Sequence, residues 1–444
     1  MATYFVANSG SNTAPYDTWA KAATSLQTAL TAASTNGDVV AIDYADVPSG
    51  DNELAADTTY TFAANVALVA STNSGTSTIT PTPMGTAEWI GNSTGNRFIS
   101  IAGAFRLYFY GITFRLAGSA TELLTLAVTD GQHCEYEECY LWQGNTGAAS
   151  HIRVGIGDAQ VFVKLKNTTV RFGNTAQSVF VSGRLQVEGS SVSSTGSAPG
   201  NFISFAVQDS AGSTAEFLGC DLSHCGSGNL VGDSTTAAAT AKFSQCKLGS
   251  GYVMLATQTN LNRSSAEVYV FDCASGDTHG LFGYANAMGS VVSDTGIYLA
   301  GGAAAQSWKI VTTANCSFYT PFETPWFGYY NTGTSAITPY VEILRDGSAT
   351  AYQDDEVWMD IAAKVTTTST IATLYSDRMT LLGTAANQDA GAGLGSWTGE
   401  SGTAWSGKLA LGSSITPAEN GHIQARIVVG EPSITVYADP QIRT

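Results

Sequence analysis

Cysteines and histidines are the first side chains to consider for chemistry. Cys134 with Cys139 and Cys220 with Cys225 lie five residues apart, and a histidine precedes one member of each pair. Such spacing occurs in metal sites, disulfide frameworks and redox centres. A metal site needs converging ligands, however, and the five histidines are isolated at positions 133, 151, 224, 279 and 422. We predict no metal and no cofactor.

Carboxylates are the second group, because enzymes that cleave glycosidic bonds need two or three acids close together. The stretch EYEE (135–138) has no matching acids in the following repeat and is interpreted as a solvated face. Asp272 and Asp294 occupy a turn position, where conformation accounts for them. The run Asp354–Glu356 lacks the spaced oxygen ligands of a calcium loop and is interpreted as a polar loop. We predict no catalytic residue.

The cysteines belong to a repeat. Nine six-residue segments align without gaps, starting 21 to 30 residues apart, as the coils of a stacked repeat do. They are FYGITF (109–114), YEECYL (136–141), LKNTTV (165–170), VEGSSV (187–192), FLGCDL (217–222), FSQCKL (243–248), VFDCAS (270–275), VSDTGI (292–297) and TANCSF (313–318). A short alternating strand precedes most segments, which predicts an all-β solenoid with two or three strands in each coil.

Two columns of this alignment predict local structure. The third position is Gly, Asn or Asp in seven of the nine segments, so a turn with positive φ is expected there. The fourth position holds Ile112, Cys139, Thr168, Ser190, Cys220, Cys246, Cys273, Thr295 and Cys316. We expect these small side chains to fill the solenoid interior, with the thiols reduced and without a disulfide framework.

The N-terminal region predicts a cap for the solenoid. Residues 17–34 have the apolar periodicity of an amphipathic helix, with Asp17 or Thr18 as N-cap. Its apolar face contains Trp19, Ala22, Ala23, Leu26, Ala29, Leu30 and Ala33. An open solenoid end exposes unpaired strand edges, so we expect this helix to cover the N-terminal mouth.

The opening pattern YFVANSGSN, followed by W, LQTAL and GDVVAI, resembles the start of right-handed parallel β-helix proteins of the pectate-lyase-like superfamily. The resemblance covers roughly residues 3–320. That superfamily includes phage tailspikes, polysaccharide lyases and other virion proteins, so the resemblance implies a fold more than a function.

The pattern changes after the last repeat. Residues 319–339 are rich in Pro, Gly and aromatics, including Trp326, Phe327, Tyr329 and Tyr330, and the longer alternating runs after 340 predict a jelly-roll-like β-sandwich. The predicted segments are 1–45 (N-terminal strand and capping helix), 46–320 (parallel β-helix), 321–339 (linker or cap) and 340–444 (β-sandwich). YVEILRDGSATAYQDDEVWMDI and GHIQARIVVGEPSITVYADPQIRT resemble C-terminal domains of phage proteins associated with head structural proteins.

Composition excludes several partners. The formal charge is −17, from 19 Lys and Arg against 36 Asp and Glu, and the basic residues are scattered, so we expect no nucleic-acid binding. The N-terminus lacks the features of a signal peptide, and no apolar run approaches the roughly 18 residues of a membrane span. We therefore expect no membrane partner, and assembly in the host cytoplasm.

These observations predict a non-enzymatic structural protein of a phage virion. The leading hypothesis is a homotrimeric decoration or cement protein on the capsid surface, bound to the major capsid protein or another virion protein. The alternative is a tailspike-like or fibre protein that binds or depolymerises host surface polysaccharide. A third hypothesis is an adhesin in which exposed aromatics, such as Trp142 or Trp397, stack on sugars.

Overall fold

The structure is a computed structural model of the chain, and it divides into two units, residues 1–241 and 242–444. It describes residues 1–249 except 93–94, 96, 119–120, 145–149, 157–159, 195–198, 206–211, 226–228 and 233–238. Beyond residue 249 it describes the strands given below, with side chains at 268–274. No helix in these described segments is long and apolar enough to span a membrane.

Unit 1 is a parallel β-solenoid with three strands in a full coil. Sheet 1 contains β1 (Thr3–Val6), β2 (Val39–Asp43), β4 (Ala67–Ser71), β7 (Arg106–Tyr110), β10 (His133–Glu137), β13 (Phe162–Lys166), β16 (Arg184–Glu188) and β19 (Thr214–Leu218). Sheet 2 contains β5 (Ile90–Asn92), β8 (Thr113–Leu116), β11 (Tyr140–Gln143), β14 (Thr169–Phe172), β17 (Ser191–Ser194) and β20 (Asp221–Leu222). Sheet 3 contains β3 (Thr58–Phe62), β6 (Phe98–Gly103), β9 (Leu123–Thr125), β12 (His151–Val154), β15 (Val179–Val181), β18 (Asn201–Phe205) and β21 (Asn229–Val231).

Neighbouring strands within each of these sheets pair in parallel, which confirms the predicted all-β solenoid of right-handed type, with about 7 turns. Alternate side chains of each strand point inward, and the interior is continuous from coil to coil. Phe109 and Tyr136, for example, stack with ring centroids 4.4 Å apart, and the Tyr136 hydroxyl donates to the Leu126 carbonyl at 2.7 Å. Burial of such apolar surface stabilises the coils by roughly 25 cal/mol per Å².

The turn between sheets 1 and 2 has the predicted backbone conformation. The seven described residues at the third position of the repeat all have positive φ, between 46° and 68°: Gly111, Glu138, Asn167, Gly189, Gly219, Gln245 and Asp272. Glu138 and Gln245 adopt this conformation although their residue types disfavour it. The geometry of the stacked coils therefore determines the backbone conformation of the turn. The residue type determines how much free energy that conformation costs. Asp294, at the same alignment position, lies outside the described residues.

The fourth position of the repeat is buried, as predicted, but it does more than fill space. The Thr168 hydroxyl donates toward the carbonyls of Tyr136 at 3.0 Å and Lys166 at 3.1 Å, and accepts from the backbone N–H of Cys139 at 3.4 Å. Ser190, Cys220, Cys246 and Cys273 make the same contact with the carbonyl two residues earlier. A side chain with one donor and one acceptor adds hydrogen bonds to the backbone of the turn, since the carbonyls of Lys166 and Glu188 also accept a backbone N–H from the neighbouring coil. This accounts for Ser, Thr and Cys in this column.

Five cysteines with described side chains are buried and form no disulfide bond: Cys134, Cys139, Cys220, Cys246 and Cys273. Burial raises the pKa of the Cys134 and Cys139 thiols to about 12. Cys139, Cys220, Cys246 and Cys273 occupy the predicted interior column, whereas Cys134 belongs to β10. Cys316 lies outside the described residues.

The N-terminal helix is shorter than predicted. A 3₁₀ turn covers Trp19–Lys21, where Thr18 accepts from the backbone N–H of Lys21 at 3.3 Å, and α1 covers only Leu26–Ala32. The helix is interrupted because Ala23 leaves it to pair with β1, exchanging hydrogen bonds with Phe5 and Ala7. The predicted apolar face is buried throughout, and α1 packs on the first strands of sheets 1 and 3. A second short helix, α2, covers Ser49–Asn52.

After β21, the pairing of successive strands changes from parallel to antiparallel. β22 (Thr240–Ser244) is followed by β23 (Lys247–Leu248), and β23 pairs in parallel with β25 (Glu267–Ser275). β25 then forms an antiparallel hairpin with β26 (Thr278–Asn286).

Two antiparallel sheets contain the remaining strands of unit 2. One has the order β24 (Val253–Leu255), β27 (Gly296–Leu299), β28 (Trp308–Val311), β37 (Thr435–Arg443), β31 (Tyr340–Asp346), β35 (Ala404–Ala410) and β34 (Gly395–Thr398). The other has the order β29 (Tyr319–Glu323), β36 (Asn420–Val429), β32 (Val357–Thr367) and β33 (Thr370–Thr380), and β30 (Phe327–Tyr330) also pairs with β36. The predicted β-sandwich, its resemblance to head-associated domains and the four predicted segment boundaries remain predictions.

Candidate functional site

An alternating stack of indole and guanidinium groups runs across the outer face of sheet 2. Its members are Trp89, Arg115, Trp142 and Arg171, which we call the Trp–Arg ladder. The Arg115 guanidinium carbon lies 4.1 Å from the ring centroid of Trp89 and 4.1 Å from that of Trp142. The Arg171 guanidinium carbon lies 4.5 Å from the Trp142 centroid. The four side chains therefore form one continuous cation–π series along the solenoid axis.

Strand register brings three of these residues into line. Arg115 pairs with Trp142, and Trp142 pairs with Arg171, each at the outward-pointing third position of its strand. Gly91 occupies the equivalent position in β5 and brings no side chain, so the indole of Trp89 covers Arg115 instead. Gly144 lies against the edge of the stack, because a Cβ added there would lie 2.3 Å from Nε1 of Trp142. Gly91 therefore leaves room for Trp89 at one end of the ladder, and Gly144 leaves room for the edge of Trp142 at its centre.

The ladder is positively charged, and no carboxylate among the described residues forms an ion pair with it. Arg115 forms no hydrogen bond or ion pair with the described part of the chain, and Arg171 donates from Nη1 to the Tyr140 hydroxyl at 3.2 Å. Burial, and then repulsion from Arg171, lower the pKa of Arg115 from its ordinary value. The Nε atoms of both arginines are enclosed without a partner, as are the Nε1 atoms of both tryptophans. The terminal amino groups of Arg115 are its solvent-facing donors.

The adhesin hypothesis requires a correction at Trp142. Arg115 and Arg171 come from the strands on either side of Trp142, so a guanidinium covers each face of its indole. A sugar ring has no free aromatic face to stack on there. Trp142 is a spacer between two arginines, and the outer edge of the stack is the part that a ligand can reach. The side chain of Trp397 lies outside the described residues.

The three glutamates of EYEE face lysines and polar groups in the neighbouring coils. Glu137 accepts from the Tyr108 hydroxyl at 2.9 Å and from Lys166 Nζ at 2.7 Å. These bonds, led by Lys166, lower the pKa of Glu137, which keeps it ionised and unsuited to donate a proton. Glu135 pairs in register with Lys164, and the Glu138 carboxylate accepts from Asn167 at 3.3 Å. On this face Glu137 and Lys166 form one ion pair, and Lys164 and Glu188 form another. The absence of a catalytic residue remains a prediction.

A second acidic group was not anticipated. Burial, then Asp46, then Asp43 raise the pKa of Glu88, and a backbone hydrogen bond with Val47 opposes this effect. Glu88 directly precedes Trp89, the first residue of the ladder. Asp43 ends β2, Asp46 follows in the next turn, and Glu88 comes from a distant part of the chain. No spacing in the sequence therefore indicated this acidic group.

The two histidine–cysteine neighbours are placed differently, and the side chain of Cys225 lies outside those that the structure describes. His133 points outward and packs edge-on against Phe162 with centroids 4.5 Å apart, whereas Cys134 points into the core. His224 is exposed and follows β20. Among the described residues, no group of three or more His, Cys, Asp or Glu side chains is arranged to hold a metal ion. The structure does not describe the side chains of Asp354–Glu356 or Trp326.

Sequence reasoning missed the Trp–Arg ladder, although a signal for it existed. Arg115, Trp142 and Arg171 each directly follow an aligned six-residue segment, at what would be a seventh position of the repeat. Ser193 occupies the same position in the next coil. A seventh column would have shown the alternation of Arg and Trp. Trp89 would still have been missed, because Gly91 takes its place in register.

No family model and no curated protein matches the chain. Among solved structures it is similar to the enzymatically active domain of tailspike protein 4 of bacteriophage CBA120, with 9% sequence identity and a TM-score of 0.25. The alignment covers 91% of this chain and 59% of that domain, so the chain spans less than two thirds of it.

This comparison corrects the leading functional prediction. The prediction of a capsid decoration or cement protein is wrong on this comparison, because the similar structure is described as a tailspike domain. The predicted binding to the major capsid protein and the location on the capsid surface remain predictions. The correction goes no further, since an identity of 9% and a TM-score of 0.25 transfer neither a residue role nor an activity.

Proposed function

We propose that this chain is a tailspike-like or fibre protein of a phage virion that binds bacterial surface polysaccharide along the outer face of sheet 2. The Trp–Arg ladder is the observation that carries this proposal. It presents donors at fixed positions on rigid strands, and strands hold a binding group more accurately than loops do. The opening sequence pattern, which resembles phage tailspikes among other solenoid proteins, supports the same class.

The shape of the face suits a polymer. The ladder follows the solenoid axis across four coils, from the residue before β5 to β14. A chain laid along it meets one side chain of the ladder at each coil, about every 4.8 Å. Many weak contacts of this kind add up along a long ligand, as in multivalent binding.

The assembly remains part of the proposal. A homotrimer would place three such faces around one axis, and long flat solenoid faces allow side-by-side packing with closed symmetry. Glycan density on a cell surface then increases the effective affinity of the trimer over that of one chain. Analytical ultracentrifugation of the full chain tests the oligomeric state.

The direct test is binding of the full-length protein to an array of bacterial surface polysaccharides. The wild-type protein is compared with Trp142→Ala, which opens the centre of the ladder. Phe162→Ala is the matched control, because Phe162 is a half-buried, outward-pointing aromatic in the neighbouring coil but on sheet 1. We expect at least a tenfold loss of binding in Trp142→Ala and wild-type binding in Phe162→Ala.

Two results would count against the proposal. If no polysaccharide on the array binds the wild-type protein, the glycan-binding function is wrong. If Trp142→Ala and Phe162→Ala bind equally well, the sheet 2 face is not the binding face. Reducing ends measured after incubation with each bound polysaccharide show whether binding is accompanied by cleavage.

A further inference from the structure

We infer that the polysaccharide bound by the Trp–Arg ladder is acidic, with anionic groups that Arg115 and Arg171 hold at every second coil. This inference rests on the proposed function and adds the chemical class of the ligand. It follows from the charge, the enclosure and the spacing of the two guanidinium groups.

Arg115 and Arg171 differ from the lysines of sheet 1 in having no acidic partner among the described residues. On sheet 1, outward-pointing Lys164 and Lys166 each meet a glutamate, Glu188 at 2.8 Å and Glu137 at 2.7 Å. On sheet 2, neither Arg115 nor Arg171 meets an acid among the described residues, although the protein has 36 acids and 19 basic residues. The chain therefore leaves two arginines unneutralised on the face that carries the ladder.

The surroundings of Arg115 and Arg171 favour the approach of an anion. Arg115 is stacked between two indoles, which remove part of its hydration, and Arg171 repels it through Trp142. A partly desolvated cation beside another cation is stabilised when an anion approaches. The guanidinium fork suits carboxylate, sulfate and phosphate groups, because two parallel N–H donors match two acceptor oxygens.

The distance between Arg115 and Arg171 along the solenoid axis matches the repeat of a polysaccharide. Arg115 and Arg171 lie on β8 and β14, two strands apart in register, which corresponds to about 9.6 Å along the solenoid axis. Two sugar rings of an extended polysaccharide span a comparable length. A polymer with one carboxylate in each disaccharide repeat can therefore place successive carboxylates on successive arginines, with the sugar between them beside the outer edge of Trp142.

The geometry favours an acidic glycan over a nucleic acid. Proteins that bind single strands usually stack bases on free aromatic faces, and both faces of Trp142 are occupied. The backbone of a nucleic acid also carries a charge at every nucleotide, which a protein with a net charge of −17 repels more strongly than a sparsely charged glycan.

The test uses hyaluronan oligosaccharides, which carry one carboxylate in each disaccharide, and the same oligosaccharides after reduction of the carboxylates to alcohols. Binding to the full-length protein is measured by calorimetry and by tryptophan fluorescence. We expect hyaluronan to bind at least tenfold more tightly than its reduced form. Arg115→Met and Arg171→Met, which keep the aliphatic length of the side chain, should each remove this preference.

Arg184→Met is the matched control. Arg184 also lies over an aromatic ring, with its guanidinium carbon 5.7 Å from the Phe162 centroid, but it belongs to sheet 1. We expect this variant to bind hyaluronan like the wild-type protein. Thermal melts of all three variants identify any loss of binding that is caused by unfolding.

The outcomes separate this inference from the proposed function. Equal binding of hyaluronan and its reduced form, or failure of both to bind, overturns the acidic ligand. The glycan-binding function survives either result if Trp142→Ala loses a polysaccharide on the array. Tighter binding of single-stranded DNA than of hyaluronan, lost in Arg115→Met, would replace the glycan with a nucleic acid and overturn both.

Discussion

At the scale of single residues, the acids of this protein differ in what their neighbours do to the ionised form. Glu137 has a lysine and a tyrosine hydroxyl within hydrogen-bonding distance, and its pKa is lowered. Glu88 is partly buried near two other acids, and its pKa is raised. The same side chain therefore stabilises the fold in one place and destabilises it in another, and the two positions make a matched pair for experiment.

Replacement of Glu88 by Gln should stabilise the protein at pH 7. In the folded state the raised pKa means that the ionised carboxylate is disfavoured relative to the unfolded chain. The penalty is absent below the ordinary pKa of Glu and develops as the pH rises above it. We expect a gain below about 1 kcal/mol at pH 7, because water screens a partly exposed charge, and no gain near pH 3. Melting temperatures measured across this pH range test the prediction.

Glu137→Gln should show the opposite dependence. Its lowered pKa contributes stability above the ordinary pKa of Glu, and this contribution disappears as the pH falls. The variant should therefore melt below the wild-type protein at pH 7 and together with it in acid. If both glutamine variants shifted the melting temperature in the same direction at pH 7, the assignment of their environments would be wrong.

At the scale of elements, the turn between sheets 1 and 2 carries a cost that a single substitution can remove. Glu138 has φ of 53°, a conformation that costs a residue with a Cβ about 1 kcal/mol more than glycine. Glu138→Gly should therefore raise the free energy of unfolding by up to about 1 kcal/mol. The gain is reduced by the loss of the exposed hydrogen bond between Asn167 and the Glu138 carboxylate. Chemical denaturation with an unchanged m-value would confirm this.

The opposite substitution in the same column is the control. Gly111 has φ of 68°, and a Cβ added there would lie 2.7 Å from the Cα of Pro83. Gly111→Ala should destabilise the protein by at least about 1 kcal/mol, through backbone strain and this contact. A neutral Gly111→Ala would show that the turn adapts, and that the stabilisation expected for Glu138→Gly has no basis.

The interior column makes a separate prediction at this scale. Thr168→Val keeps the shape of the side chain but removes its hydroxyl, which leaves the Cys139 N–H and the Tyr136 carbonyl without that partner. We expect a loss of about 1–3 kcal/mol in the free energy of unfolding, whereas Thr168→Ser keeps the hydroxyl and should cost less. Equal losses in the two variants would mean that packing, rather than hydrogen bonding, selects the residues of this column.

Elements also show how far the sequence leads. Alignment of the segments predicted the positive φ of Glu138 and Gln245, which their residue types alone do not indicate, because stacked coils must repeat one backbone path. The helix predicted over 17–34 failed where Ala23 pairs with β1, a contact between distant parts of the chain that helical periodicity cannot show. The ladder was missed for a related reason, since it is defined by register between coils and not by spacing within one.

At the scale of the whole molecule, the charge distribution sets two opposing electrostatic effects on an acidic ligand. The net charge of −17 repels a polyanion at long range, whereas Arg115 and Arg171 attract it at short range. Added salt screens both effects, but they act at different stages of binding. Long-range repulsion slows the encounter, and the short-range ion pairs hold the bound state.

The association rate and the dissociation rate of hyaluronan should therefore both rise with salt. Between about 50 mM and 200 mM salt, screening of the net charge speeds association, and weaker ion pairs with the ladder speed dissociation. Surface plasmon resonance at several salt concentrations measures the two rates separately. In Arg115→Met the association rate should keep most of its salt dependence, because the net charge becomes one unit more negative, while the dissociation rate should lose much of its own. An association rate that falls with salt would mean that local attraction by the ladder outweighs the net charge during the encounter, and the distribution of charge rather than its sum would then govern recognition.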